Sequence, residues 1–379
     1  MRIGFVTPWL HGVRGNKIVL SYANELARTG HDTELLAHTV RPTFRAEIER
    51  LLGRARLSYV KESDRPYVGH ADEIAWQLAG GRDRALADLI TNSHQRSPFD
   101  ALVLAANEGH GVGRLLRARL QGSGPLLGWS VMELIDHSFL LRYERDLPAL
   151  RSLASPLYPI IHSRWARSLA AYDFLMANSE WTGDLLDYLY GAQIRHIFMS
   201  LAPSTFERPS PTGADTSPPY IAVPTASLGP HEQRLLTEVA SSGVPLVGYG
   251  PRPARGIQHL GYLTEDRMRE VLAGAAATLF LFDYEALGLI PFESLALGTP
   301  VITLPKHGVR RQWLQHPFVT FARSPEEFVE AVRRSLEHPP TPEARQRAAD
   351  SIRPFAAANT AQEFVHFLER ERLRAGRKP

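Results

Sequence analysis

The chain is 379 residues long, 44% hydrophobic and 22% charged, with a formal net charge of +3. That balance excludes a disordered chain, a collagen-like fibre and a coiled coil, and at ~100–200 residues per domain it implies two domains. Cysteine is absent, which excludes disulfides, zinc–thiolate sites, iron–sulfur clusters and a catalytic thiol, and fits a cytoplasmic protein.

The elements follow in chain order. Residues 3–7 form a short β-branched run, and residues 16–28 carry apolar side chains at helical spacing (Ile18, Val19, Tyr22, Ala23, Leu26). Gly30 stops that helix and residues 32–36 begin a second strand, so the chain opens with a βαβ unit and a parallel sheet. The opening decapeptide MRIGFVTPWL reads as a buried strand and not as a signal peptide. Further helices are expected at 74–90, 112–120 and 180–190, and further strands at 101–105, 126–130 and 174–177.

Residues 203–219 (PSTFERPSPTGADTSPP) hold too much proline for a helix or a central strand and read as a linker. The βα rhythm then restarts. Strands are expected at 220–223, 245–248, 277–282 and 301–304, helices at 230–240, 265–275, 291–297 and 325–336, and a mostly helical tail at 341–374. The longest apolar stretch, 271–282, is too short for a membrane span of ~20 residues. The small basic excess gives no stripe for nucleic acid. It is nearly all arginine, which with abundant Ala, Leu, Gly and Pro suggests a GC-rich bacterial genome.

The segment 283–304, DYEALGLIPFESLALGTPVITL, carries the most chemistry. A buried strand ends at Phe282, and a loop with Glu285 and Gly288 follows. A helix is expected to begin near Pro291, where proline's missing N–H costs nothing, with Glu293 in its first turn. Backbone N–H groups from Gly288 onward would then suit a phosphate. A glutamate in a first turn also complements the helix dipole with no ligand at all.

Glu285 to Glu293 resembles the E-x7-E motif of retaining GT-B glycosyltransferases of the GT4 type, with Gly288 and Leu289 at that motif's Gly and Leu, followed by the similar ALGTPVI. The segments GNKIVLSYANELARTGHDTELL and YDFLMANSEWT also resemble parts of that family's first domain, so the resemblance spans nearly the whole chain.

It implies an α/β fold of two Rossmann-like domains facing across a cleft. These are an acceptor domain over 1–200, a nucleotide-sugar donor domain over 201–350, and a C-terminal helix over 351–379 that packs back on the first. The implied donor is a nucleotide-diphosphate sugar, a substrate and not a cofactor, and no metal is needed. Glu285 would hold the sugar hydroxyls, Gly288 and Leu289 the diphosphate, and Glu293 the ribose diol. The implied partners are that donor and a small soluble acceptor of specialised metabolism.

Two departures from the family stand out. The Arg and Lys that usually neutralise the diphosphate are missing: Thr225 stands at the Arg position, and Pro230 or His231 at that of the Lys. Candidate substitute cations are Arg252, Arg255, Lys306, Arg310 and Arg311, each of which also reads as a solvated surface base. Where the family often has a histidine near the reacting sugar, the stretch reads Ser130-Val-Met-Glu133, leaving Glu133 as acceptor base or sugar-orienting group, with Asp136 and His137 nearby. In the first domain Gly15 and Asn16 resemble the family's glycine-rich loop, and the loop 107–113 offers Glu108 and His110 for acceptor contacts. Three rival readings remain: a homologue that binds a sugar nucleotide without transfer, a sugar-nucleotide epimerase, and a glycolipid transferase. The last would need a basic surface such as 114–119 or 142–151.

Overall fold

The computed structural model describes residues 1–10, 16–65, 76, 80–107, 109–120, 124–132, 134, 156, 158–209, 218–226, 228–282 and 285–376. These divide into two compact units, Met1–Ala202 with Phe355–Pro379, and Pro203–Pro354. Each is a parallel sheet with helices, the two-Rossmann architecture expected of the fold class.

In the first unit the elements run β1 (Arg2–Leu10), α1 (Lys17–Arg28), β2 (Asp32–Val40), α2 (Pro42–Leu52), β3 (Arg56–Glu62), α3 (Gly81–Arg96), β4 (Ala101–Ala105), α4 (Val112–Arg119), β5 (Leu126–Val131), α5 (Tyr158–Leu169), β6 (Phe174–Ala177), α6 (Glu180–Tyr190) and β7 (His196–Ile197). The strand order is β3-β2-β1-β4-β5-β6-β7. β1 continues through Pro8 instead of ending there. Beyond Val6 it pairs only with β2, through Trp9 and Leu10, while its pairing with β4 stops at Val6. A proline near a one-sided strand end loses little. Of the helix expected at 74–90, Trp76 is helical, and α3 runs from Gly81 after Gly80 in a left-handed conformation.

The tail of the chain belongs to this unit. Helix α13 (Ala357–Arg374) brings Phe364 against Phe5, Tyr22 and Phe198, with ring centroids 5.2–6.1 Å apart. Tyr22 donates its hydroxyl to the Met199 carbonyl at 3.1 Å, and burial pushes its pKa up. Each aromatic ring buried here contributes on the order of 2–3 kcal/mol of transfer free energy.

The second unit runs β8 (Ile221–Pro224), α7 (Pro230–Ser241), β9 (Leu246–Tyr249), β10 (Gln258–His259), α8 (Glu265–Gly274), β11 (Ala277–Phe280), α9 (Leu289–Ala296), β12 (Val301–Thr303), α10 (His307–Trp313), β13 (Val319–Phe321), α11 (Pro325–Glu337) and α12 (Pro342–Ile352). Its strand order is β10-β9-β8-β11-β12-β13. In both sheets the order reverses between the first strand and the one that follows its outer neighbours. Ligands of such sheets bind beyond the C-terminal strand ends at that switch point. It lies between β1 and β4 in the first unit and between β8 and β11 in the second. No helix among the described residues is long and apolar enough to cross a membrane.

Candidate functional site

The second unit's switch point is built from the ends of β8 and β11. After β11, Leu281 and Phe282 stay buried, and Glu285 follows, partly exposed. Gly288 caps α9 at φ +75°, a conformation that suits glycine alone, and Leu289 is the first helical residue. The helix thus begins two residues before Pro291, and Glu293 stands beyond the first turn. A dipole or capping role for Glu293 loses its footing, because such effects fade within one turn.

Glu293 is only 5% exposed. Its helix is fixed on several sides. Ser294 Oγ lies 2.7 Å from Thr278 Oγ1 on β11 and donates to the Thr299 carbonyl at 2.9 Å. Phe292 packs edge-on against Trp313 with centroids 4.5 Å apart. Thr299 donates to the Leu272 carbonyl, and Arg345 clamps the Ala273 and Ala275 carbonyls and Thr299 Oγ1. Burial lowers the Arg345 pKa to about 10. A buried carboxylate on so rigid a helix is preorganised to accept hydrogen bonds from hydroxyls.

Thr225 directly follows β8 and is 1% exposed. Both its N–H and its O–H point to the Tyr249 carbonyl, at 2.9 and 3.1 Å. His259 Nε2 sits 3.4 Å from the same hydroxyl, while Gly261 N–H donates to His259 Nδ1 at 3.2 Å. With Nδ1 accepting, Nε2 carries the proton and faces Thr225. The position where a cation was expected therefore closes a local hydrogen-bond chain. Arg252, Arg255, Arg310 and Arg311 are exposed.

Lys306 is half-buried, just past β12 on the turn into α10. That turn is pressed onto the Glu285 loop: a Cβ at Gly308 would collide with the Ala286 carbonyl. Between them, His307 has φ +48°, unusual for a residue with a Cβ. Such conformations cost on the order of 1–3 kcal/mol and gather at functional sites. Lys306 is legible from its place after a strand, whereas nothing in the letters KHG marks the positive φ of His307 or the Gly308 contact.

In the first unit, Asn16 caps α1 from the β1 side, and Thr7 Oγ1 lies 3.4 Å from its Oδ1. Gly15, Glu108, Glu133, Asp136, His137 and the basic stretch 142–151 lie outside the described residues. Asn107 Oδ1 accepts the Met132 N–H at 3.1 Å, fixing the backbone beside position 133. His110 is not an acceptor contact but a core residue. Its Nδ1 is 2.7 Å from Ser168 Oγ, its ring stacks on Trp129 at 5.5 Å, and burial lowers its pKa to about 3. The basic run 114–119 is partly neutralised: Arg117 pairs with Asp173, and Arg119 with Asp88 at 2.7 Å.

A chain with two Rossmann-like sheets of this order and a glycine–carboxylate helix at the second switch point has the GT-B fold. Residues 253–352 match the family described as glycosyl transferases group 1, a span that contains Glu285, Gly288, Glu293 and Lys306. The fold is similar to that of sucrose-phosphate synthase from Thermosynechococcus elongatus, with TM-score 0.72 and 13% identity over 99% of this chain and 100% of that one. Anabaena HepE, solved with UDP and glucose, gives TM-score 0.66 and 13% identity over 97% and 99%. UDP-GlcNAc 2-epimerase from Neisseria meningitidis, bound to UDP-GlcNAc, gives 0.58 and 12% over 98% and 100%. No curated protein matches the chain at significance.

Proposed function

We propose that the chain is a retaining glycosyltransferase of the GT4 type, moving a sugar from a nucleotide-diphosphate donor to a small soluble acceptor in the cytoplasm. The observation that carries this reading is the buried Glu293 carboxylate on a helix capped by Gly288, at the second sheet's switch point. Glu293 holds the ribose diol, the Gly288 and Leu289 N–H groups meet the diphosphate, and Glu285 orients the sugar hydroxyls. Lys306 supplies positive charge to the leaving diphosphate, a role in which electrostatic stabilisation is often the largest catalytic contribution.

In the reaction the anomeric C–O bond to the diphosphate breaks. The acceptor oxygen bonds to the same face, and its proton passes to the departing phosphate oxygen. No protein nucleophile is required, in contrast to retaining glycosidases.

A second reading, a protein that binds a sugar nucleotide without transferring its sugar, is favoured by one observation. Thr225, at the expected arginine position, has both donors taken up by Tyr249.

Calorimetry with UDP-, ADP- and GDP-glucose, followed by product assay against a panel of acceptors, separates the readings. Transfer predicts binding to at least one donor, about tenfold weaker binding in Glu293→Gln, and about a hundredfold or greater loss of turnover in Glu285→Gln. Binding without turnover for any acceptor favours the second reading, and no binding sinks both.

A further inference from the structure

The C-terminal edge of the first sheet holds a cluster of different character. Trp9, next to last in β1, meets Trp76 edge-on at 5.0 Å, and His38 near the end of β2 meets Trp76 at 5.1 Å. The guanidinium of Arg82, in the first turn of α3, lies over both indoles, 5.0 Å from Trp9 and 5.4 Å from Trp76. Among the described residues no carboxylate pairs with Arg82, and its buried Nη1 has no hydrogen-bond partner. The neighbouring Asp83 is turned to the Trp76 Nε1–H, 2.7 Å away.

A second cation shares this edge. Lys61 is exposed on β3, beside Thr39 of β2. Burial, then Lys61 and Arg82, lower the His38 pKa to about 4, so the ring is neutral. The carboxylate next to Lys61, Glu62, is already engaged by Arg45 at 2.8 Å and by the Tyr59 hydroxyl at 2.7 Å.

The Arg82 guanidinium lies against both indoles, and its planar fork suits two oxygens of one anion. A buried guanidinium N–H without a partner is costly unless a ligand uses the charge. Part of the Arg82 side chain stays solvent-accessible, so an anion can reach it, and half-buried Trp9 offers an apolar ring face beside it. We propose that this cluster recognises an oxyanion, a phosphate or carboxylate, carried by the acceptor, so that the acceptor is an anionic small molecule and not a neutral sugar. The word acceptor rests on the transferase reading; the anion site itself does not.

The test is calorimetry of the full chain with inorganic phosphate, glucose 6-phosphate, glucuronate and glucose, without nucleotide. The expected result is binding of phosphate and of at least one charged sugar, with glucose undetected. Arg82→Gln weakens that binding about tenfold or more, and Lys61→Gln about threefold. Arg334→Gln, which removes an equal charge from the second unit, leaves it unchanged. Circular dichroism checks that Arg82→Gln is folded. Should it not be, the exposed Lys61→Gln still decides, with Arg82→Lys giving an intermediate loss. Phosphate-only binding supports a phosphorylated acceptor, and glucuronate binding a carboxylated one. No anion binding, or affinities equal in wild type and both variants, overturns the proposal. If anions bind as described and no nucleotide sugar does, the site stands and the transferase reading falls.

Discussion

At the switch point of the second sheet, the polar groups near the strand ends are carboxylates and backbone: Glu285, Gly288 and Glu293, with Lys306 on the adjoining turn. At the same edge of the first sheet they are indoles and cations: Trp9, Trp76, Arg82 and Lys61. The strand orders match, so the backbone does not account for this contrast. A carboxylate accepts hydrogen bonds and favours a polyhydroxylated ligand, while a guanidinium donates them and favours an anion. One fold repeated in a chain can thus serve two ligands of opposite demand, because the side chains at the strand ends and helix starts, not the strand order, hold the chemistry.

The largest effect is expected where the second site depends on backbone packing. Gly308→Ala puts a methyl group into the Ala286 carbonyl, so the Glu285 loop must move. Displacement of a positioning loop by an ångström can cost about a hundredfold in rate. We expect the donor KM to rise about tenfold and turnover to fall further, with anion binding by the first unit unchanged. Steady-state kinetics beside the phosphate calorimetry reads both. If both fall together, the two sites are not separable and the contrast between them fails.

Acid should act on the two units unequally. In the first unit, burial lowers the pKa of His38 and His196 to about 4 and of His110 to about 3. In the second, burial lowers the pKa of His316. A base whose folded pKa lies below its ordinary value binds more protons when unfolded. Its contribution is therefore complete above about pH 6.5 and is lost as pH falls toward the folded value. By about pH 4.5, His110 alone costs on the order of 2–3 kcal/mol. Hydrogen exchange by mass spectrometry should find 1–202 losing protection at a higher pH than 203–354. Loss in the reverse order would mean that the buried histidines do not set the acid limit.

How much of this was legible in the sequence depends on how local each signal is. The first βαβ unit was readable because α1 buries a broad stripe from Ile18 to Leu26. α2 and β3 went unread for the opposite reason. α2 buries only Ile48 and Leu52, and β3 is an edge strand with four of its seven residues exposed. The Glu285–Glu293 segment was readable because loop, glycine and helix are contiguous. Its helix start was misplaced by two residues, since Pro291 is as acceptable at the third helical position as at the first. Trp9, Trp76 and Arg82 come from one strand end, a buried helical tryptophan and one helix start, so no spacing in the sequence could assemble them. Lys306 was found by its place after a strand, whereas the Gly308 contact needed two segments to be folded side by side.

The smallest expected effect bears on whether the second site really lacks a donor at the missing arginine. Thr225→Val removes the hydroxyl but keeps the volume and the N–H to Tyr249. The loss of one buried hydrogen bond should cost about 1 kcal/mol of stability. Nucleotide-sugar affinity should stay within about twofold, because a hydroxyl already donating to a carbonyl has no proton left for a phosphate. Chemical denaturation and calorimetry on the same variant measure the two quantities. An affinity loss of about tenfold with little change in stability would mean that Thr225 turns from Tyr249 to the ligand. The second switch point would then carry a phosphate donor of its own, and its contrast with the cationic first sheet would narrow.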